Sequence, residues 1–352
     1  MEDIFAIQDE ISESIVQALQ VQLGVDGRED LSRPAASVEA YHLYLKGLHN
    51  WYKRERGSLQ RAADFFEQAV AIDPDYASAH AGLAISYCSL AFYGMKPAIA
   101  RARANAAAER AAALAPGLAE VHAALGMCAS WFAFDWETAE REYKLALEAN
   151  PSYALASIWY GMMLATLSRH DEAIALATRA REVDPLSPYA NTALGLAHVQ
   201  AGRRHEALPI LEESVNIDAD FLYSLWVLGS TYGALGRRDE SVAVFERAVA
   251  LSGRGSYYLS WLGWAYGVAG RKPEAEKILA ELTAGYPDQD VQPLMLMQVT
   301  SGLGDLDSAF AWLEESVAHG DPAASFIGFP PMDRLREDPR FGQIREALGI
   351  PS

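Results

Sequence analysis

Residues 139–185 read AEREYKLALEANPSYALASIWYGMMLATLSRHDEAIALATRAREVDP, and a single offset runs through them. Ala139, Tyr143, Ala146 and Pro151 are followed 34 residues later by Ala173, Ala177, Ala180 and Pro185. The register continues downstream. Gly161, Gly195, Gly229 and Gly263 form one ladder, and Ala173, Ala207, Ser241, Ala275 and Ala309 a second. A third is Gly202, Gly236, Gly270 and Gly304. Self-similarity at this period marks stacked helix–turn–helix units. One such pair cannot bury its own apolar face, so the copies must stack into an all-α solenoid.

Within a unit counted from Ala154, positions 7, 8 and 11 are Tyr160, Gly161 and Leu164, and positions 20, 24, 27 and 32 are Ala173, Ala177, Ala180 and Pro185. The next two units place Leu194-Gly195 and Leu228-Gly229 at positions 7 and 8, with Tyr232 and Phe245 later in the second of them. Positions 4, 7, 8 and 11 share one face of the first helix. Small residues at 8 and 20 let the two helices approach, and the proline at 32 lacks an N–H and ends the second helix. This pattern resembles the tetratricopeptide repeat. It departs at position 4, which holds His80, His122, Ser157, Asn191, Leu225 and Leu259 instead of tryptophan. The resemblance implies a right-handed α-solenoid, a superhelix of about eight repeats, with an extra N-terminal helix and a C-terminal capping helix.

Composition bounds the function. About half the chain is hydrophobic and the formal net charge is −18, which repels nucleic acid and anionic lipid surfaces. No apolar run is long enough to span a membrane. The start, Met1-Glu2-Asp3, is acidic and unlike a secretory leader, and two cysteines, Cys88 and Cys128, make no disulfide framework. These features point to a reduced, cytoplasmic protein with neither nucleic-acid nor membrane partners.

Four regions follow. Residues 1–24 form an amphipathic helix with Ile4, Ile7, Ile11, Ile15 and Leu19 along one side. Residues 25–37 are a polar linker, residues 38–321 a quasi-linear repeat array, and residues 322–352 a cap. Within the array, repeat one has a small insertion at 53–58, repeat two a longer loop at 90–97, and repeat three one extra residue around Phe134, Asp135 and Trp136. The eighth repeat is degraded, with Met297 where glycine is usual. Residues 322–331 read as a loop before short closing helices marked by Leu335, Phe341, Ile344 and Leu348.

A narrower resemblance rests on three motifs: DIFAIQDEI at 3–11, DWE at 135–137 and LREDPRF at 335–341. Together they are similar to the repeat region of large bacterial signalling proteins. There, tetratricopeptide arrays accompany TolB-like, adenylate cyclase, kinase or winged-helix modules. Those modules have no counterpart in these residues, so the resemblance implies a neighbourhood and no activity.

Catalytic and cofactor motifs are missing: there is no HExxH, P-loop, GxSxG or paired CxxC. We therefore expect no enzyme activity and no cofactor or metal. His80 and His122 read as packing residues at position 4, and Cys88 and Cys128 as small buried thiols. The turns carry a basic ladder (Arg169-His170, Arg203-Arg204, Arg237-Arg238, Arg271-Lys272) followed by acids. Cations at one helix end and anions at the next helix start complement the helix dipoles, a structural role worth about 0.3–1 kcal/mol per site.

The face opposite positions 4, 7, 8 and 11, at about 100° per residue, lines the concave side of a tetratricopeptide superhelix. It carries Tyr44, Trp51, Trp131, Trp159, Met162, Tyr189, Tyr223, Trp226, Tyr257, Trp261 and Trp264, including six of the eight tryptophans. Packing alone accounts for an aromatic at position 5, but not for Trp159, Trp261 or Trp264. The Lys/Asn/Arg set that clamps a C-terminal carboxylate in chaperone-binding members is absent. The expectation is a non-enzymatic scaffold binding a protein, peptide or helix segment in this groove, with a small hydrophobic ligand as the alternative. The chain's own N-terminal helix is a candidate occupant; capping of repeat one or a homo-oligomer contact are its other roles.

Overall fold

The computed structural model describes residues 38–287 and 290–350, so the helix and linker expected over 1–37 lie outside the described residues. Sixteen helices follow in eight antiparallel pairs: α1 (Val38–Tyr52) with α2 (Arg56–Ile72), α3 (Ala77–Phe92) with α4 (Pro97–Leu114), α5 (Ala119–Cys128) with α6 (Trp136–Ala149), and α7 (Ala154–Thr166) with α8 (His170–Val183). The series continues with α9 (Pro188–Gln200) and α10 (Arg204–Ile217), α11 (Leu222–Ala234) and α12 (Arg238–Leu251), α13 (Ser256–Val268) and α14 (Lys272–Gly285), and α15 (Pro293–Leu303) and α16 (Leu306–Ala318). Two 3-10 turns (Pro322–Ser325 and Pro330–Met332) lead to the short helices α17 (Asp333–Arg336) and α18 (Phe341–Ala347). Among the described residues there is no strand. The chain is an all-α solenoid of tetratricopeptide type.

The periodic residues have visible work. Gly202, Gly236, Gly270 and Gly304 stop α9, α11, α13 and α15 in the left-handed region, with φ between 74° and 82°. The next residue's N–H then reaches back five positions, as from Arg203 to the His198 carbonyl at 2.8 Å. Ser168 takes the same slot in repeat four at φ 63°, a strain of about 1–2 kcal/mol that glycine would avoid. The extra residue of repeat three becomes a π-helical turn over Ala129–Ala133, closed by Phe134 at φ 51°, and Asp135 then caps the start of α6 by accepting from the Thr138 N–H.

The array is not quasi-linear. It curls until repeat eight touches repeat two. The Gln292 amide donates to the carbonyls of Ala91 (2.6 Å) and Met95 (3.1 Å). Arg56 pairs with Asp290 at 2.6 Å, and the rings of Tyr93 and Tyr257 lie 5.1 Å apart. One continuous apolar core runs from Trp51 through every inner helix to Phe326 and Phe329. A second core joins Met297, Phe310 and Leu313 to the cap residues Leu335, Phe341, Ile344 and Leu348. The degraded eighth repeat thus trades its glycine for a methionine that the cap covers.

Helix approach is closest between α13 and α15. A Cβ on Gly302 would sit 2.6 Å from the Trp264 carbonyl oxygen and 2.7 Å from its Cα. At Gly195 the Cβ would meet side chain and no backbone, Leu211 Cδ2 at 2.5 Å and Cγ at 2.6 Å. Gly302→Ala should therefore cost about 3 kcal/mol, the upper range for overpacking, and Gly195→Ala about 1 kcal/mol. Urea melts of the two variants check this ordering, and equal losses would contradict the backbone contact.

Candidate functional site

The inner helices bring the expected aromatic residues together, but onto one another. Trp51, at the end of α1, packs edge-on against Trp159 of α7 (5.7 Å) and Tyr189 of α9 (5.8 Å) across the axis of the curl. Contacts continue from Tyr189 to Tyr223 (5.4 Å), from Tyr223 to Trp226 (5.2 Å), and from Trp226 to Tyr257 and Trp261 (5.9 and 5.6 Å). Trp131 meets Phe92 at 4.5 Å, and Met162 lines the same interior. Tyr44 lies apart, against Phe66 and Tyr76, and Trp264 is wedged beside Trp261 and Gly233.

The open groove expected from the sequence is a correction. Every one of those residues except Tyr44 is buried, down to 0 % exposure for Trp51 and Trp159. The filler comes from the C-terminal segment. Phe329 stacks on Trp226 at 4.8 Å and meets Trp261 at 6.1 Å, while Phe326 sits against Phe92 at 5.3 Å. Residues 322–331, which read as a loop, are therefore, together with Met332, a buried plug. The apolar run Phe326, Ile327, Phe329 between prolines is the signal that could have found it. Docking by the N-terminal helix lies outside the described residues; within them, the C-terminal segment holds the place.

The plug is anchored by polar contacts. Asp321 caps it, accepting from the Ala323 N–H and the Ser316 hydroxyl, both at 2.9 Å. Arg336 donates to the Ile327 carbonyl at 2.6 Å. Arg204 holds both oxygens of Asp333 at 2.6 Å, so this member of the basic ladder ties the array to the cap. The Trp136 indole donates to the Leu348 carbonyl at 2.9 Å, so the turn at 135–137 meets the end of the cap that follows 335–341. Trp136 also packs against the second core, to which Leu335 and Phe341 of the 335–341 motif belong.

Elsewhere the ladder is spent within the array. Arg169, Arg237 and Arg271 each pair with the glutamate three residues on, and Arg203 with Asp171. Burial opposes ionisation of Glu140, but hydrogen bonds from Lys144, Tyr160 and Arg169 outweigh it and bring its pKa down to about 2. His80 bonds the Pro74 carbonyl and His122 the Glu142 carboxylate. Cys88 and Cys128 are buried free thiols with sulfurs 3.7 Å apart.

The residue the sequence hid is Arg54. It lies in the insertion of repeat one, at φ 53°, and only 3 % of it is exposed. Its guanidinium faces the rings of Trp51 (4.5 Å), Tyr189 (5.0 Å) and Tyr223 (5.7 Å). One N–H reaches the Ser89 hydroxyl at 3.1 Å, while Nε has no partner. Burial pushes the Tyr223 hydroxyl well up and the Tyr93 hydroxyl up, against the pull of Arg54 on each.

Asp321 makes the plug pH-sensitive. Its complete burial raises the pKa from 3.8 to about 6, against those two hydrogen bonds. The folded chain thus holds this proton more tightly than the unfolded one. Asp321 costs nothing below pH 3.8, and its cost grows between pH 3.8 and about 6 to about 3 kcal/mol above that window. Asp321→Asn should gain on the wild type by that amount between pH 4 and pH 7 in paired urea melts. An offset that does not change with pH would mean that Asp321 is ionised throughout.

A family model for the tetratricopeptide repeat matches residues 131–191, 171–220 and 227–290. The chain is 38% identical over 87 residues to a Rhizobium meliloti (strain 1021) protein provisionally named adenylate cyclase 3, a match spanning 24% of this chain and only 15% of that protein. The Cut9-Hcn1 hetero-tetramer of APC/C superposes with a TM-score of 0.58 at 18% identity, over 92% of this chain and 59% of the matched one. Yeast Tom70 follows at a TM-score of 0.49 and 17% identity, over 88% and 68%. At 18% identity the Cut9-Hcn1 structure shows the fold alone. The chain carries tetratricopeptide repeats in an all-α solenoid, and no helix among the described residues is long and apolar enough to cross a membrane.

Proposed function

We propose that this tetratricopeptide-repeat chain is a non-enzymatic protein-interaction scaffold whose inner aromatic face holds an apolar peptide segment. In the closed state residues 322–332 hold that place, and a partner segment of similar character gains it by displacing them. The carrying observation is the insertion of Phe326 and Phe329 among Phe92, Trp226 and Trp261. Extended segments with two aromatic anchors suit a groove of indoles, because rings supply contact area at low entropic cost. The plug's own burial, about 1.5–3 kcal/mol per phenylalanine, sets what a competitor must match. The partial likeness to a bacterial protein provisionally named adenylate cyclase 3 supports placing the scaffold in a bacterial signalling system, as its interaction part. We assign it no cyclase chemistry.

A small hydrophobic ligand in the same face is the weaker reading. The two cavities beside Phe326 each leave the centre of a water molecule about 20 Å³ to range over, which suits one water and no organic molecule unless the plug moves.

The double substitution Phe326→Ser and Phe329→Ser tests the scaffold reading. The helical circular dichroism should persist, tryptophan emission should shift to the red, and a synthetic peptide of residues 320–332 should bind the variant and not the wild type. A folded variant with wetted indoles that binds no such peptide would mean that the inner face is core and nothing more.

A further inference from the structure

The interior of the curl contains a charge with no counter-charge. Arg54 is buried, and no carboxylate among the described residues pairs with it. It lines a small cavity together with Tyr223, Trp226, Met162 and Phe326. Three polar atoms of the lining lack a partner: Arg54 Nε, the Tyr223 hydroxyl and Trp226 Nε1. Two of them, the guanidinium and the indole, can only donate, and the hydroxyl can. They come from two separate elements, the repeat-one insertion and, a turn apart, two positions on α11, so no single helix end accounts for them. The Ser89 hydroxyl, the one bonded partner of Arg54, already accepts from Trp51 as well and donates to the Ile85 carbonyl. It has nothing left to give.

Leaving a buried charge and buried donors unsatisfied is costly, so what fills the cavity must accept hydrogen bonds. A water accepts two but must also donate two, and the lining side chains offer only tyrosine oxygens to receive them. A water also leaves the charge uncompensated. An anion accepts from all three donors and neutralises the guanidinium. Aromatic edges carry positive partial charge and favour the same sign. The free space, about 20 Å³ for the centre of a water-sized body, admits a monatomic or small planar anion and excludes phosphate or sulfate.

We propose that the cavity at Arg54, Tyr223 and Trp226 is a binding site for a small, weakly hydrated monovalent anion of the size of chloride. The anion completes the interior from which the plug is built, since Phe326 forms one wall of its site. Its three donors, Arg54, Tyr223 and Trp226, all belong to the array and none to the plug. The net charge of −18 opposes entry from a distance, but that field is screened within about 10 Å at 0.1 M salt.

The test uses the full chain and sodium salts at matched ionic strength. The melting temperature should rise along a saturable curve with chloride or bromide and not with gluconate, which is too large to enter. Arg54→Met keeps the length and apolar stem and should lose the saturable rise; Tyr223→Phe should weaken it and leave the fold intact. Crystals soaked in sodium bromide should show an anomalous peak between the three donors. If chloride and gluconate act alike on the wild type, or if bromide appears in the crystal while solution melts show binding at crystal concentration only, the proposal is overturned. Should Arg54→Met fail to fold, the wild-type salt comparison and Tyr223→Phe decide alone.

Discussion

The inner faces of the odd-numbered helices carry more aromatic surface than their own pairs can cover, and everything distinctive about this solenoid follows from burying it. In a stack of helix pairs each copy covers its neighbour, so the sides between repeats are satisfied locally. The concave side is not. Here it holds Trp51, Trp159, Trp226 and Trp261, and the array bends until they meet. Edge-on and stacked ring pairs are each worth about 0.5–1.5 kcal/mol beyond their buried area. Curvature alone leaves a gap along the axis, and Phe326 and Phe329 fill it.

Closure changes how the parts depend on one another. An open solenoid is nearly one-dimensional, and a change in one repeat is felt by the next. The Gln292 bonds to Ala91 and Met95, and the Trp136 bond to Leu348, join residues about 200 apart in sequence. Repeats two, three and eight and the cap are thus mechanically one body. The basic turns take part unevenly: Arg169 and Arg237 pair with their own helix and with the repeat before it, while Arg204 reaches Asp333.

The repeat, its glycine stops and the identity of the inner residues were legible in the sequence because they are local and periodic. Gly202 and its equivalents need only their own turn, and the 34-residue spacing shows them. The destination of the inner aromatics was not legible. Whether such a stripe faces a partner or itself depends on summed curvature, which is set by many small packing angles and has no motif. Residues 322–332 misled because their prolines outweighed Phe326 and Phe329. Arg54 was invisible because an insertion breaks the register and a lone arginine in a turn reads as solvent-exposed. The eighth repeat was legible in part: Met297 announced a missing helix contact but not the cap that replaces it.

The position of the plug along the chain gives the fold an order in time. Residues 322–332 are synthesised after every helix they cover. At roughly 5–20 residues per second, the stretch from Trp261 to Phe329 takes several seconds to translate. Throughout that interval Trp226 and Trp261 lack the two rings, Phe326 and Phe329, that lie beside them in the finished chain. The most deeply buried face of the finished fold is thus among the last to be covered during its synthesis.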